Sequence, residues 1–242
     1  MEGFHKRLWQ NHPQHEHQRR DYSRARRHGL DTGIVDAQTS RIRGGSFFHA
    51  ETSTHDQRRA SDGEQPQYLP VYDTTLRDGA QQEGLSLSVQ DKLAIAGHLD
   101  ELGVGFIEGG WPGAIPKDTE FFRRATTELD LKNAVLTAFG ATRKAGVKVH
   151  EDPQVRALLD SLAPAVTLVA KSDIRHVERA LRTTGDENLA MVTETVRHLR
   201  EQGRRVFLDA EHFFDGYAFD QAYALEVVRA AAEAGAEAIV LC

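Results

Sequence analysis

The chain has 242 residues, seven prolines, one cysteine and a formal charge of −6 at pH 7, a length that holds one barrel-sized domain or a smaller domain with an appendage. The lone Cys242 excludes an internal disulfide and any Cys-based metal cluster. No apolar run is long enough to span a bilayer or to act as a secretory signal, so the expectation is a soluble, cytoplasmic protein with no membrane partner.

Composition divides the chain near residue 66. Residues 1–66 carry seven of the twelve His and eleven Lys or Arg against nine Asp or Glu, with scattered apolar residues. Such a stretch buries too little apolar surface to offset its ordering entropy and reads as a disordered tail. The remaining residues, 67–242, hold nineteen Lys or Arg against twenty-seven Asp or Glu, a charge of −8, which argues against nucleic acid as a partner. Arg19, Arg20, Arg24, Arg26 and Arg27 open the tail, but interspersed acidic residues and the lack of an amphipathic face speak against a transit peptide.

The first ordered element is predicted at Val71–Leu76, a short β-branched and aromatic run that gives way to Arg77-Asp78-Gly79. A cation and a carboxylate thus stand where a strand ends, the rim on which chemistry collects in parallel α/β proteins. Asp78 offers oxygens to a divalent cation and Arg77 offers a planar fork of donors to a carboxylate or an enolate. A surface Arg-Asp pair in a turn is the plainer account of those two residues.

Ser88 with Asp91 reads as a capping box for a helix lined by Val89, Leu93, Ala96, Leu99 and Leu102, stopped by Gly103. A second strand begins near Val104 and ends at Glu108, and helices follow at 118–128 and 152–161 around a third strand near Ala134. The fourth strand, from Ala165, ends on Lys171-Ser172-Asp173, where Asp173 either meets substrate or caps the next helix. Asp186 is read as the cap of a helix striped by Leu189, Val192, Val196 and Leu199. The fifth strand begins near Arg205 and ends on Glu211-His212. A helix over Gln221–Ala234 and a sixth strand from Ala236 complete the pattern, with Cys242 as a small apolar strand residue.

Strand and helix alternate every thirty to forty residues, the length of a βα unit, which implies a mainly parallel sheet covered on its outer face. A (β/α)8 barrel and a doubly wound open sheet both satisfy that pattern. No Gly-x-Gly-x-x-Gly follows the first strand, so the dinucleotide-binding version lacks its main support. Six strands and five helices in residues 67–242 fall short of a closed barrel of eight strands.

The run Asp73-Thr74-Thr75-Leu76-Arg77-Asp78-Gly79 with Gln81 resembles the first-strand signature of the α-isopropylmalate, homocitrate and citramalate synthase family, to which hydroxymethylglutaryl-CoA lyases are related. Glu108-Gly109-Gly110-Trp111-Pro112-Gly113 and Asp209-Ala210-Glu211-His212-Phe213-Phe214-Asp215-Gly216-Tyr217 resemble the citramalate branch in particular. The resemblance implies an incomplete (β/α)8 TIM barrel in a homodimeric parent enzyme. It also implies an (R)-citramalate synthase-like acyltransferase that condenses acetyl-CoA with pyruvate or another 2-oxo acid in branched-chain amino-acid biosynthesis.

By the same resemblance Asp78 binds a divalent metal, Mg²⁺ or Mn²⁺ with Zn²⁺ as the third candidate, and Arg77 contacts the keto acid. Gln81 lies beside that site, Glu211 takes part in acid–base chemistry, and Lys171 and Ser172 touch substrate. Glu108 supports Arg77 or substrate, a buried structural ion pair being an equally good account. The family's His-x-His metal pair has no counterpart after residue 66, and His15-Glu16-His17 lies in the tail, so this chain is expected not to catalyse the condensation by itself. An isopropylmalate synthase, a hydroxymethylglutaryl-CoA lyase-like enzyme, and a non-catalytic assembly module completed by a partner chain are the alternatives.

Overall fold

The computed structural model describes residues 70–242; the predicted tail and the His15–His17 pair lie outside them. Six parallel strands run in the order β1-β2-β3-β4-β5-β6: β1 Tyr72–Asp73, β2 Phe106–Gly110, β3 Val135–Ala141, β4 Ala165–Lys171, β5 Arg205–Glu211 and β6 Ala238–Leu241. A doubly wound sheet would reverse its order at a switch point, so the unbroken sequence of neighbours is that of a barrel wall. The wall is curled, because the Tyr72 hydroxyl on β1 reaches Thr167 on β4 and its ring lies 6.0 Å from that of Phe207 on β5.

Seven helices connect the strands: α1 Val89–Leu102, α2 Pro116–Glu128, α3 Pro153–Asp160, α4 Ile174–His176, α5 Gly185–Glu201, α6 Phe213–Phe219 and α7 Gln221–Glu233. Five were expected. The extra two arise where the β4 and β5 connections break: α4 runs into a π-helical turn at Val177–Leu181, and Asp220 accepts from Tyr223 N and separates α6 from α7. The capping box at Ser88 and Asp91 forms as read, and Gly103 closes α1 at φ 85°. The cap of α5 is Thr184, whose side chain accepts from Glu187 N, while Asp186 lies in the first turn. Asp152 caps α3 through Gln154 N and Val155 N.

The first strand is shorter than Val71–Leu76. The Asp73 carboxylate takes the Thr75 N–H at 2.9 Å, and the Thr74 carbonyl accepts from both Arg77 N and Gly79 N. These local bonds pull the chain out of the sheet after two residues. Arg77 and Asp78 therefore sit on a turn rather than on a strand.

Strand alternation sorts the side chains onto two faces. Outward residues such as Ile107, Val166, Leu168, Ala170, Val206, Leu208 and Ala210 are buried against the helices with Leu93, Phe121, Leu158, Val196 and Val227. Inward residues begin with an apolar floor of Phe106, Ala165 and Phe207 joined by Tyr72, Val135 and Ala238. One tier higher on the inner face come Glu108, Thr137, Thr167 and Asp209. Lys171 and Glu211 face each other at the C-terminal rim, in register. Cys242, expected to pack as an apolar strand residue, is exposed and lies one residue beyond β6, its Sγ donating to Asp209 Oδ1 at 2.8 Å. No helix among the described residues is long and apolar enough to cross a membrane.

Candidate active site

Arg77 is held from three directions at the rim. Its Nε donates to Glu108 Oε2 at 2.5 Å, one Nη1 hydrogen goes to Asp78 Oδ1 at 3.2 Å, and the guanidinium lies 3.9 Å above the Phe139 ring. Phe139 is in turn met edge-on by Trp111, with ring centroids 5.1 Å apart. Trp111 is fixed at both ends, by Nε1–H to Gln154 Oε1 and by its backbone N–H to Asp118 Oδ2. That carboxylate, whose other oxygen pairs with buried Lys92, occupies the space a Cβ on Gly110 would need, and Gly110 stands at φ 143°. A glycine is therefore required there for the loop to meet α2.

The Arg77 side chain is only 16% exposed, while Nη2 makes no hydrogen bond among the described residues. A clamped stem with a free planar end is the form a carboxylate receptor takes. Glu108, at 1% side-chain exposure, is the clamp. Burial raises its carboxyl above the ordinary range, Arg77 and the Tyr72 hydroxyl work against that rise, and Asp209 adds to it. Gln81 is exposed on the short turn Gly79–Gln81 and lines, with Arg77, Leu76 and Lys92, a small cavity of about 120 Å³.

Asp78 is 65% exposed and offers free carboxylate oxygen to a cation. No group of three His, Cys, Asp or Glu among the described residues is arranged to hold a metal. One carboxylate is far short of the six or more oxygens a hard divalent cation takes, so Asp78 amounts to a single ligand and not a metal centre.

The second cluster stands across the rim, where β4 and β5 end. Lys171 Nζ pairs with Glu211 Oε2, and the two side chains are 22% and 34% exposed. Ser172, fully buried, donates through Oγ to the Glu211 carbonyl at 2.8 Å, so it positions backbone and faces no open space. His212 holds φ 59°, sets its Nε2 3.7 Å from Glu211 Oε1, and packs at a tilt against His176 with ring centroids 4.3 Å apart. Burial, and then His212, lower the His176 pKa below the ordinary range. Asp173 resolves as a cap and an ion-pair partner, accepting from Arg175 N and from the Arg175 side chain. Burial pushes its carboxyl up, but the Arg175 bonds outweigh burial and hold it below the usual range.

The structure thus brings Arg77, Asp78, Gln81 and Glu108 together on one side and Lys171, Ser172 and Glu211 on the other. No hydrogen bond joins the two groups among the described residues. Phe139, Tyr72 and Thr167 were not singled out by sequence. The period-two alternation that puts 135, 137 and 139 of β3, and 165, 167, 169 and 171 of β4, on one face was the available signal.

A family model described as HMGL-like matches residues 69–242. Over 172 residues the chain is 69% identical to an (R)-citramalate synthase of Streptomyces coelicolor, covering 71% of this chain and 32% of that protein. It is 53% identical over 172 residues to an (R)-citramalate synthase of Aquifex aeolicus, with the same coverage. Against a 2-isopropylmalate synthase of Synechococcus the identity is 35% over 181 residues, covering 72% and 31%. The chain therefore spans about a third of the length of these curated relatives. In fold it is similar to a hydroxymethylglutaryl-CoA lyase of Pseudomonas aeruginosa, with a TM-score of 0.56 at 20% identity over 73% of this chain and 58% of that one. The curled parallel sheet, the Arg-Asp turn after its first strand and the family match over 69–242 agree: the chain belongs to the HMGL-like family.

Proposed function

We propose that this chain carries the 2-oxo acid side of a citramalate synthase-like active site, in a protein that condenses acetyl-CoA with pyruvate. The observation that carries the reading is Arg77, a guanidinium clamped by Glu108 and Phe139 with its Nη2 end free at the rim. A fork held in that way binds the carboxylate of a keto acid and faces the negative charge that grows on the neighbouring oxygen as the new bond forms. The identity of 69% to a citramalate synthase against 35% to an isopropylmalate synthase favours pyruvate over a branched 2-oxo acid.

In the condensation a proton leaves the acetyl methyl group, the methyl carbon bonds to the keto carbon, the keto oxygen is protonated, and water then releases CoA. In this reading Glu211, half-exposed and paired to Lys171, accepts or relays the methyl proton. Gln81 lines the small cavity beside Arg77, within reach of a keto acid held by that guanidinium in this reading. Asp78 would supply one ligand to a divalent cation, Mg²⁺ or Mn²⁺ with Zn²⁺ as the alternative, whose remaining ligands are not among the described residues and which would polarise the keto group. The reading carries with it a domain over 67–242 set apart from 1–66, a homodimeric state and a cytoplasmic location.

The test is calorimetric titration of the protein with pyruvate in the presence of Mn²⁺, alongside a thiol assay for pyruvate-dependent CoA release from acetyl-CoA. Pyruvate is expected to bind more tightly than 2-oxoisovalerate, and Arg77→Ala to abolish binding. Tighter binding of 2-oxoisovalerate, or cleavage of hydroxymethylglutaryl-CoA without synthesis, would overturn the assignment in favour of the isopropylmalate synthase or the lyase.

A further inference from the structure

Below Arg77 a second line of hydrogen bonds crosses the inner face of the sheet. The Tyr72 hydroxyl donates to Glu108 Oε1 at 2.7 Å and lies 2.6 Å from Thr167 Oγ1. Each hydroxyl carries one proton. Tyr72 spends its own on the carboxylate, so Thr167 is the donor to Tyr72. The line therefore runs from Thr167 on β4, through Tyr72 on β1, to Glu108 on β2, whose second oxygen holds Arg77. Tyr72 is partly buried, and its hydroxyl is pushed far above the ordinary phenol range, first by burial and then by Glu108, so it remains a donor.

Nothing in the floor of the sheet calls for that hydroxyl. Phe106 and Phe207 fill the same layer as plain rings, at 6.0 Å and 6.0 Å from Tyr72 and 5.0 Å from each other. A phenylalanine at position 72 would pack equally well and avoid burying a polar atom. The hydroxyl serves Glu108. A buried carboxylate held only by the Arg77 Nε bond could turn about its last torsion, and a donor on the opposite oxygen removes that freedom.

We propose that Tyr72 and Thr167 are positioning residues for Arg77, acting through Glu108, so that four strands converge on the aim of one guanidinium. Tyr72 and Thr167 lock the Glu108 carboxylate, Glu108 locks Nε, and Phe139 supports the flat face. The functional consequence rests on the reading above, in which Arg77 meets the 2-oxo acid; the positioning itself does not.

The variant Tyr72→Phe tests both parts separately. Proton NMR of the Arg77 Nε–H group, assigned by its loss in Arg77→Lys, reads the geometry without any turnover. In the wild-type protein that proton is expected to exchange slowly with water, and in Tyr72→Phe at least tenfold faster. In the condensing protein that carries this chain, the KM for pyruvate is expected to rise about tenfold, the loss of roughly one hydrogen bond to a charged group, with the KM for acetyl-CoA unchanged. Thr167→Val should move the same readings by about threefold, and Thr167→Ser should restore them. Unaltered Arg77 exchange in both Tyr72→Phe and Thr167→Val would overturn the proposal, as would an equal rise of both KM values without a change at Arg77. Should wild-type protein bind no 2-oxo acid, the proposed function fails, while the Arg77 resonance still decides whether Tyr72 positions it.

Discussion

The two sides of the rim are built on opposite plans. Around Arg77 the charge is taken into the sheet: its carboxylate partner is 1% exposed, a phenol and a threonine stand behind that carboxylate, and the Phe139 ring lies against the guanidinium. Around Glu211 the charge is left in water, with Lys171 and His212 alongside and both partners of the ion pair partly exposed. The contrast matches the roles proposed for each. A group that binds and stabilises charge gains from fixed dipoles in a dry setting, whereas a group that takes up and gives back a proton needs access and modest pairing.

The largest test of this difference is Glu211→Gln. In the condensing protein that carries this chain, turnover is expected to fall by about 10²–10⁴-fold, the span for losing one general base, while stability changes by under about 1 kcal/mol because the pair is half-exposed. Steady-state kinetics and urea unfolding on the same preparation measure both. Glu108→Ala should do the reverse in stability. Removing one member of a buried pair is expected to cost about 3–5 kcal/mol, visible as a lower urea midpoint, and equal destabilisation by the two substitutions would erase the contrast.

Next comes Arg77→Lys, which keeps the charge but loses the fork and the stacking on Phe139. About a hundredfold loss of turnover is expected, the lower end for one preorganised donor; retention of full activity would mean that a point charge suffices there.

Acid titration separates the sides by sign. Glu108 has a raised folded pKa, so its contribution is most favourable at low pH and is lost as pH rises through that value. Asp173 has a lowered one, so its contribution holds above the ordinary carboxylate pKa near about 3.9 and is lost as pH falls through the folded value. Comparing wild type with Glu108→Gln and with Asp173→Asn across pH 2–7, the wild type should gain on the first and lose on the second as acid is added. Slopes of the same sign would break the assignment.

The smallest effect is His212→Gly. His212 holds a left-handed backbone at φ 59°, where glycine relieves strain, and the melting temperature should rise by the equivalent of about 0.5–1 kcal/mol. A drop would show that the ring contact with His176 outweighs the backbone.

Much of this was legible along the chain. The Ser88 capping box, the Gly103 stop and the six strand starts need only local chemistry and period, and each forms near where it was read. The ends of strands were legible too, and Arg77, Asp78, Glu108, Lys171 and Glu211 stand at or just beyond them. The π-helical break after α4 and the split at Asp220 were not. A π turn and a capping Asp in mid-connection leave the apolar period nearly intact. Ser172 was read as a substrate contact, yet its hydroxyl is turned to the Glu211 carbonyl, a pairing that requires β4 and β5 to be neighbours.

By itself the sequence determined which residues stand at strand ends, because alternation, caps and turn-formers act within a few residues of one another. It also determined that Glu108 had to find a partner, since a carboxylate inside an apolar strand is too costly to leave alone. Which partner it found, and that Tyr72 and Thr167, 95 positions apart, would meet behind it, only the tertiary structure decided. Curvature is the physical reason. The twist that bends six strands around a common interior brings β1 over β4 and β5, and no local rule encodes a contact made by closing a sheet upon itself.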